Sequence, residues 1–568
     1  MTGRLARGVA GGAVLIGAIT ILARIAGFAK QYAFAQTVGT TCLSSAYFTA
    51  NQIPNIVFEV VAGGALAGMV VPVLAGAAAR AGEPPLEEPD SPEAARGASS
   101  LAPGADLSGA EAHAYVGRVA SALLTWVLIA LVPLAVAVAV LAGPIAGLFY
   151  GAAVKGCGPG QDVVAVTADM LVVFAPQIPL YGVAVVLYGV LQAHRRFAAP
   201  ALAPLVSSIV VIVAYLVFLP VSGGDRQAVS PLTPGELVLS IGTSLGVLAL
   251  VLTVAGPALR LGLRWRPTLR FPGGVAVQVR GLAMAGIAGL LAQQAAMIVV
   301  VRLANEIGSG AIAVYNYAWA IYLVPYAVLA VPIATSAFPG LSARAESGDA
   351  AGFAELAARG TRAVVLVSGL AAGALAAMSG PGAAVFLHGS RASVDAGELA
   401  STIAWFAPGL LGYGLIAQLS RVLYAAGRGR EAAAGTVAGW LVVMVAQVGL
   451  VLLLPDEWKI AGMALGMSAG MSVGGVWLLV SVGRARGRGA LAGLGRAVAA
   501  AVAGGLAGFA AGAGVVRLAG GEGLWALLGA TALGGAAALA VGAAVAALLD
   551  PRDARALAGV FGRRGGAG

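Results

Sequence analysis

Long apolar runs separated by short polar connections fill most of the chain, and charged residues nearly vanish inside the runs. A hydrocarbon core about 30 Å thick needs roughly 20 apolar residues per helix. That criterion predicts about fourteen spans, near residues 10–37, 46–78, 119–142, 163–193, 199–220, 236–257, 275–304, 310–338, 361–379, 399–424, 432–454, 460–482, 493–516 and 523–549. Backbone groups in hydrocarbon must be satisfied within the protein, so the runs are read as helices and the fold class as an all-α polytopic membrane protein. One long polar connection, Gly82 to Tyr115, carries Pro84, Pro85, Pro89, Pro92 and Pro103 among acidic side chains. It is expected to be a disordered cytoplasmic insertion.

Composition narrows the class further. Hydrophobic residues make up 60% of the chain and charged residues 10%, whereas a soluble domain carries about 25% charge. The net charge of +10 would suit nucleic acid in a soluble chain, but the arginines scatter over short connections without forming a basic face. Most lie at the two termini and in the even-numbered connections, among them Arg195, Arg196, Arg260, Arg264, Arg266, Arg270, Arg280, Arg484, Arg486, Arg488 and Arg496. Only Lys155, Arg226, Arg302, Arg391, Lys459 and Arg517 fall toward the other side. The excess of Lys and Arg in cytoplasmic loops places both termini in the cytoplasm, for a multi-pass protein of the bacterial plasma (inner) membrane. Arg4 and Arg7 precede an apolar run with no small-residue cleavage site, so that run reads as a retained first helix.

A repeat underlies the spans. At an offset of 232 residues, Phe174-Ala175-Pro176, Tyr181-Gly182, Val190-Leu191, Ala193 and Arg196 match Phe406-Ala407-Pro408, Tyr413-Gly414, Val422-Leu423, Ala425 and Arg428. At an offset of 267, Pro72 and Leu74 match Pro339 and Leu341. The 35-residue difference matches the length of the acidic connection in the first copy. Six spans per copy is an even number, so the two lobes form a parallel repeat, as in transporters with broken helices. The expected organisation is an N-lobe at 1–260, a C-lobe at 261–488, an added helix pair at 489–550 and a cytoplasmic tail at 551–568.

Charges inside the spans mark candidate chemistry. Arg24 lies mid-span, where facing lipid costs about 2.5–3.5 kcal/mol on insertion scales. It is expected to face water, an anion or a carboxylate, against the alternative of a structural strut. Lys30, about 9 Å further along a helix, fits either a substrate contact or snorkelling to the outer headgroups. Glu59 has a similar estimated depth in the second span, so an Arg24–Glu59 pair that an anionic substrate displaces is one expectation and a protonated Glu59 the other. Arg302 and Glu306 read as structural and interfacial. The aromatics Tyr315, Tyr317, Trp319 and Tyr322 fit an interfacial belt better than a cavity lining.

Cys42 and Cys157 both fall in outer connections, where an oxidising compartment permits a disulfide; two free thiols are the alternative. His113, His194 and His388 occupy separate connections without metal-ligand spacing, so no metal is expected. No nucleophile elbow, phosphate loop or zinc-protease helix is present, so no catalytic residues are expected. A transporter is the favoured class.

The segment Arg24-Ile25-Ala26-Gly27-Phe28-Ala29-Lys30, followed by Ser45-Ala46-Tyr47-Phe48, Ile53-Pro54-Asn55, Ala62-Gly63-Gly64-Ala65 and Val71-Pro72-Val73-Leu74, resembles the opening of the MurJ (MviN) family. Val324-Pro325-Tyr326-Ala327-Val328-Leu329-Ala330 through Phe338-Pro339-Gly340-Leu341-Ser342 is similar to that family's eighth helix. The resemblance implies a flippase, not an enzyme, that moves lipid II, the undecaprenyl-pyrophosphate-linked peptidoglycan precursor, to the outer leaflet by alternating access. It implies a cationic cavity, in which Arg24 matches a family arginine and Lys30 stands where another is usual, and a groove at the last two helices for the lipid tail; Arg24, Lys30, Asn55 and Glu59 are the expected substrate-binding residues. The partners implied are lipid II or a related undecaprenyl-pyrophosphate-linked glycan and the membrane lipids, with no nucleic acid. No cofactor is implied, the drive being a membrane potential or an ion gradient. Ser45, Phe58, Glu59, Gly63 and Ala320 depart from the family's charge pattern, which keeps a flippase for another lipid-linked oligosaccharide as the alternative. A cation-coupled multidrug exporter of the same superfamily is the further alternative.

Overall fold

The structure is a computed structural model that describes residues 2–61, 74, 109–151, 155–158, 162–223, 232–271, 275–390, 394–521 and 523–555, with side chains described outside 2–18 and 275–286. The described chain is built of α-helices, in the order α1 (Thr2–Thr37), α2 (Cys42–Glu59), α3 (Gly109–Val140), α4 (Ala142–Leu148), α5 (Val163–Phe174), α6 (Gln177–Ala193), α7 (Ala198–Val221), α8 (Pro234–Leu259) and α9 (Val275–Ile307). There follow α10 (Ala311–Pro325), a π-helical turn at Tyr326–Ala330, α11 (Val331–Glu346), α12 (Ala350–Leu387), α13 (Ala396–Phe406), α14 (Gly409–Ala425), α15 (Gly429–Leu453), α16 (Lys459–Arg486), α17 (Leu494–Leu518) and α18 (Leu524–Leu549). Among the described residues, 11 helices are long and apolar enough to cross a membrane, or 12 with the pair α13–α14, which bends by 42°. The predicted span at 10–37 falls within α1, and the one at 46–78 lies partly outside the described residues.

The chain divides into two compact units. Unit 1 holds Met1–Val38, Ala46–Gly151 and Gly158–Gln294, and unit 2 holds Gly39–Ser45, Ala152–Cys157 and Ala295–Gly568. This differs from the expected boundaries at 260 and 488. The change from one unit to the other falls inside α9, a continuous helix that no proline or cap interrupts. The last helix pair joins unit 2 because small residues let it approach α12 closely. A Cβ on Gly505 would lie 2.7 Å from the Gly369 carbonyl oxygen, and one on Gly504 would lie 2.7 Å from that of Gly542. Such small-residue faces are how membrane helices gain packing without a hydrophobic drive between them.

The acidic connection is shorter than expected. Its stretch 75–108 lies outside the described residues, but 109–115 already forms the first turns of α3. Glu111 in that first turn complements the helix dipole, and Ala112, Tyr115 and Val116 are buried in the core of unit 1.

The two Phe-Ala-Pro motifs break their helices alike. Proline supplies no amide and interrupts the helical ladder, so α5 ends at Phe174 with α6 starting at Gln177, and α13 ends at Phe406 with α14 starting at Gly409. In each unit a serine from a neighbouring helix satisfies the freed backbone, as hydrocarbon requires. Ser244 Oγ on α8 donates to the Val173 carbonyl at 2.9 Å. Ser468 Oγ on α16 donates to the Trp405 carbonyl at 2.7 Å and accepts from the Gly409 amide at 3.1 Å.

Candidate functional site

Aromatic packing fixes α1 and α2 in unit 1. Phe34 packs on Tyr47 and Phe48 with ring centroids 4.9 and 4.7 Å away. The Tyr47 hydroxyl in turn hydrogen-bonds with those of Tyr215 on α7 and Thr243 on α8, at 2.7 and 2.8 Å. Counting about 1.5 Å per residue from this contact, Arg24 lies roughly 15 Å along α1 and Glu59 roughly 18 Å along α2. Arg24 and Glu59 are exposed, and Lys30 and Asn55 half-buried. Arg24–Glu59 is not among the ion pairs that the described residues form. The pairing expected from sequence is thus not formed among the described residues.

Asn51, Asn55 and Glu59 follow one another at every fourth residue and share one face of α2. The Tyr181 hydroxyl on α6 donates to Asn55 Oδ1 at 3.5 Å, and the Tyr181 ring packs on Phe58 at 4.6 Å. Val60 and Val61, just beyond, are π-helical. Such one-turn π segments inside α-helices are frequent at functional sites.

Unit 2 repeats this arrangement. Tyr413, the partner of Tyr181 in the repeat, stacks on Tyr326 at 4.1 Å, where the π-helical turn Tyr326–Ala330 begins. Trp319 and Tyr322, on the same face of α10, extend the cluster, with Trp319 stacked on Tyr322 at 5.3 Å. The expectation of an interfacial belt is therefore corrected. Tyr315, Tyr317 and Tyr322 are buried in unit 2, because α10 packs on α13 and the rings meet Phe406 of α13 and Phe386 of α12. The aromatic pair in each unit was missed in the sequence, since at the 267-residue offset Phe58 falls on Pro325 and Glu59 on Tyr326, so the two aromatics do not align. Arg302 and Glu306 do form an i,i+4 ion pair at 2.6 Å.

Cys42 and Cys157 are joined in a disulfide, with Cα atoms 5.9 Å apart. Both belong to unit 2, with the rest of the segments 39–45 and 152–157. There the Tyr317 hydroxyl donates to the Gly39 carbonyl at 3.0 Å, the Gly310 amide to Ser45 Oγ at 3.0 Å, and the Ser309 amide to the Lys155 carbonyl at 2.8 Å. Gly310 has a φ of +78° and its missing Cβ would strike the Thr40 backbone, so glycine is required twice over.

A third feature of unit 1 escaped the sequence reading altogether. The connection after α8 runs extended along α3, with the Arg266 amide donating to Ser121 Oγ, the Thr268 amide to Thr125 Oγ1 and Trp126 Nε1 to the Leu269 carbonyl, each at 3.1 Å. Its Arg264, Arg266 and Arg270, with Arg118 and His113 of α3, line a half-open cleft of about 1110 Å³. The alternation Leu263-Arg264-Trp265-Arg266 was the available signal, read from sequence only as a mark of topology.

The family model for the lipid II flippase MurJ matches residues 34–519. Among solved structures, the fold is similar to that of the lipid II flippase MurJ in an inward closed conformation, with a TM-score of 0.66 and 17% identity, covering 93% of this chain and 98% of that one. It is also similar to an inward-facing multidrug resistance transporter of the MATE family, at a TM-score of 0.59 and 17% identity over 83% of this chain and 98% of that one. A point mutant of the Vibrio cholerae MATE transporter VcmN gives 0.55 and 13%, over 83% and 96%. The identities are low, so these likenesses establish the fold alone; the family follows from the model match over most of the chain. This chain belongs to the lipid II flippase MurJ family.

Proposed function

We propose that this protein carries lipid II from the cytoplasmic to the outer leaflet of the bacterial plasma membrane by alternating access, supplying peptidoglycan synthesis, with both termini in the cytoplasm. The observation that carries this reading is the family-model match over residues 34–519. Physically, a polyprenyl pyrophosphate needs only a wet cationic path for its head while its tail stays in lipid. No bond is made or broken, so no catalytic group is required. Arg24 contacts the pyrophosphate, Lys30 is the second cation on α1, Asn55 positions the head, and Glu59 competes for Arg24 when substrate is absent.

A second reading has one observation in its favour. Phe58, at a position where the resemblance implies charge, packs its ring on Tyr181, so this site offers an aromatic face where a cation is expected. That favours a different lipid-linked oligosaccharide, whose sugars present apolar ring faces.

The deciding experiment measures lipid II in the outer leaflet of cells depleted of their own flippase. Wild-type protein is expected to restore it, and Arg24→Ala, inserted at equal abundance, to lower the rate about ten- to a hundredfold, the value of a lost charge-assisted contact of about 1.5–3 kcal/mol. Full activity of Arg24→Ala removes that residue from the path. Inactive, well-inserted wild-type protein moves the assignment to another lipid-linked glycan.

A further inference from the structure

The arginine-lined cleft between α3 and the extended connection 260–271 lies outside the transport path assigned above. Arg118, Arg264, Arg266 and Arg270 converge on it without an Asp or Glu among its lining residues. None of the four guanidinium groups forms an ion pair or hydrogen bond with another described residue. Four like charges without a counter-charge among the described lining residues repel one another, and a cleft with apolar walls focuses their field outward. Meanwhile Leu263 is buried and Trp265 packs against two apolar clusters of unit 1, so the strap is anchored and its arginines are preorganised.

The cleft's depth points to the ligand. Trp126, 47% exposed, holds the far end of the strap and belongs to the residue type that sits at the headgroup level. Arg118 is eight residues further along α3, roughly 12 Å. The arginines therefore run from the headgroup level outward, on the side that the proposed orientation makes cytoplasmic. Planar guanidinium forks match phosphate oxygens better than ammonium groups do.

We propose that this cleft binds the phosphodiester headgroup of an anionic phospholipid of the cytoplasmic leaflet, such as phosphatidylglycerol. The site is separate from Arg24, and its test does not depend on flipping activity. Binding of short-chain phosphatidylglycerol and phosphatidylcholine to purified full-length protein is measured by native mass spectrometry. Phosphatidylglycerol is expected to bind at least about tenfold tighter, and to lose about fivefold per arginine removed. The triple variant Arg264→Gln, Arg266→Gln, Arg270→Gln should thus bind about a hundredfold more weakly, and the corresponding lysine variants should recover part of the loss. Should the triple variant aggregate, Arg118→Gln reads the same cleft from the helix side, with about a fivefold loss. Equal retention of the two lipids overturns the proposal. Displacement by inorganic phosphate at equal concentration overturns the lipid assignment in favour of a soluble phosphate. A preference gained only when residues 83–106 are deleted gives the cleft to that acidic segment and also overturns it.

Discussion

Arg195 holds a φ of +58°, and its counterpart in the repeat, Gly427, a φ of +72°. Both sit where a helix ends in the same cap, with the Arg196 amide donating to the Leu191 carbonyl and the Arg428 amide to the Leu423 carbonyl, each at 2.8 Å. A left-handed residue other than glycine costs roughly 1–2 kcal/mol. Arg195→Gly is therefore expected to raise stability by about 1 kcal/mol, and Gly427→Ala, which meets open space, to lower it by about as much. Thermal midpoints in detergent check both. At the other end of the chain, the fully buried Asp550 accepts from the Asp553 amide and pairs with Arg496 at 3.1 Å. Burial raises its carboxyl, but the Asp553 amide and the Arg496 guanidinium outweigh this and hold it below the ordinary carboxylate value. The sign follows: its stabilising contribution is complete above that ordinary value, near 4, and disappears as pH falls through the depressed one. Asp550→Asn is expected to flatten this acid limb in a pH series of unfolding midpoints, while leaving the neighbouring Arg362–Asp553 pair, at 2.6 Å, intact.

At the scale of elements, the two broken helices depend on one hydroxyl each. Ser468→Ala would leave the Trp405 carbonyl and the Gly409 amide without their partner, at a cost of about 1–3 kcal/mol for each buried group left unsatisfied. The expected outcome is a lowered thermal midpoint with Ser468→Thr, which keeps the hydroxyl, falling less; equal midpoints for Ser468→Ala and wild type would show that the break needs no such support. The breaks were legible beforehand because Phe-Ala-Pro recurs at a fixed offset and proline has one physical effect on a helix. The serines were not, since they come from helices tens of residues away and nothing local distinguishes Ser244 or Ser468 from other intramembrane serines that bond to their own helix, such as Ser472. Helix length was similarly under-read: the span expected at 361–379 belongs to α12, Ala350–Leu387. Its first turns carry Glu355 and Arg359, charges that a hydropathy criterion treats as the end of a helix.

For the molecule as a whole, apolar run lengths alone separate the class, because hydrocarbon admits so few structures. Division into units was less legible. A boundary drawn at a polar connection assumes that units change where helices end, whereas here they change within α9. Of the site, Arg24, Lys30 and Glu59 stood out as charges in apolar runs, while the packing of Phe58 on Tyr181 and of Tyr326 on Tyr413 did not, aromatic residues being ordinary in such runs. The same blindness applies to the arginine strap, whose charges served equally well as topology marks. The two copies also keep matching registers. The helices of each broken pair begin and end at the 232-residue offset almost residue for residue, and the π-helical Val60 and Val61 fall on Ala327 and Val328 at the 267-residue offset. The two units thus keep one helix length and one break position in different sequences, so the break is a property of the repeated architecture and not of either copy alone.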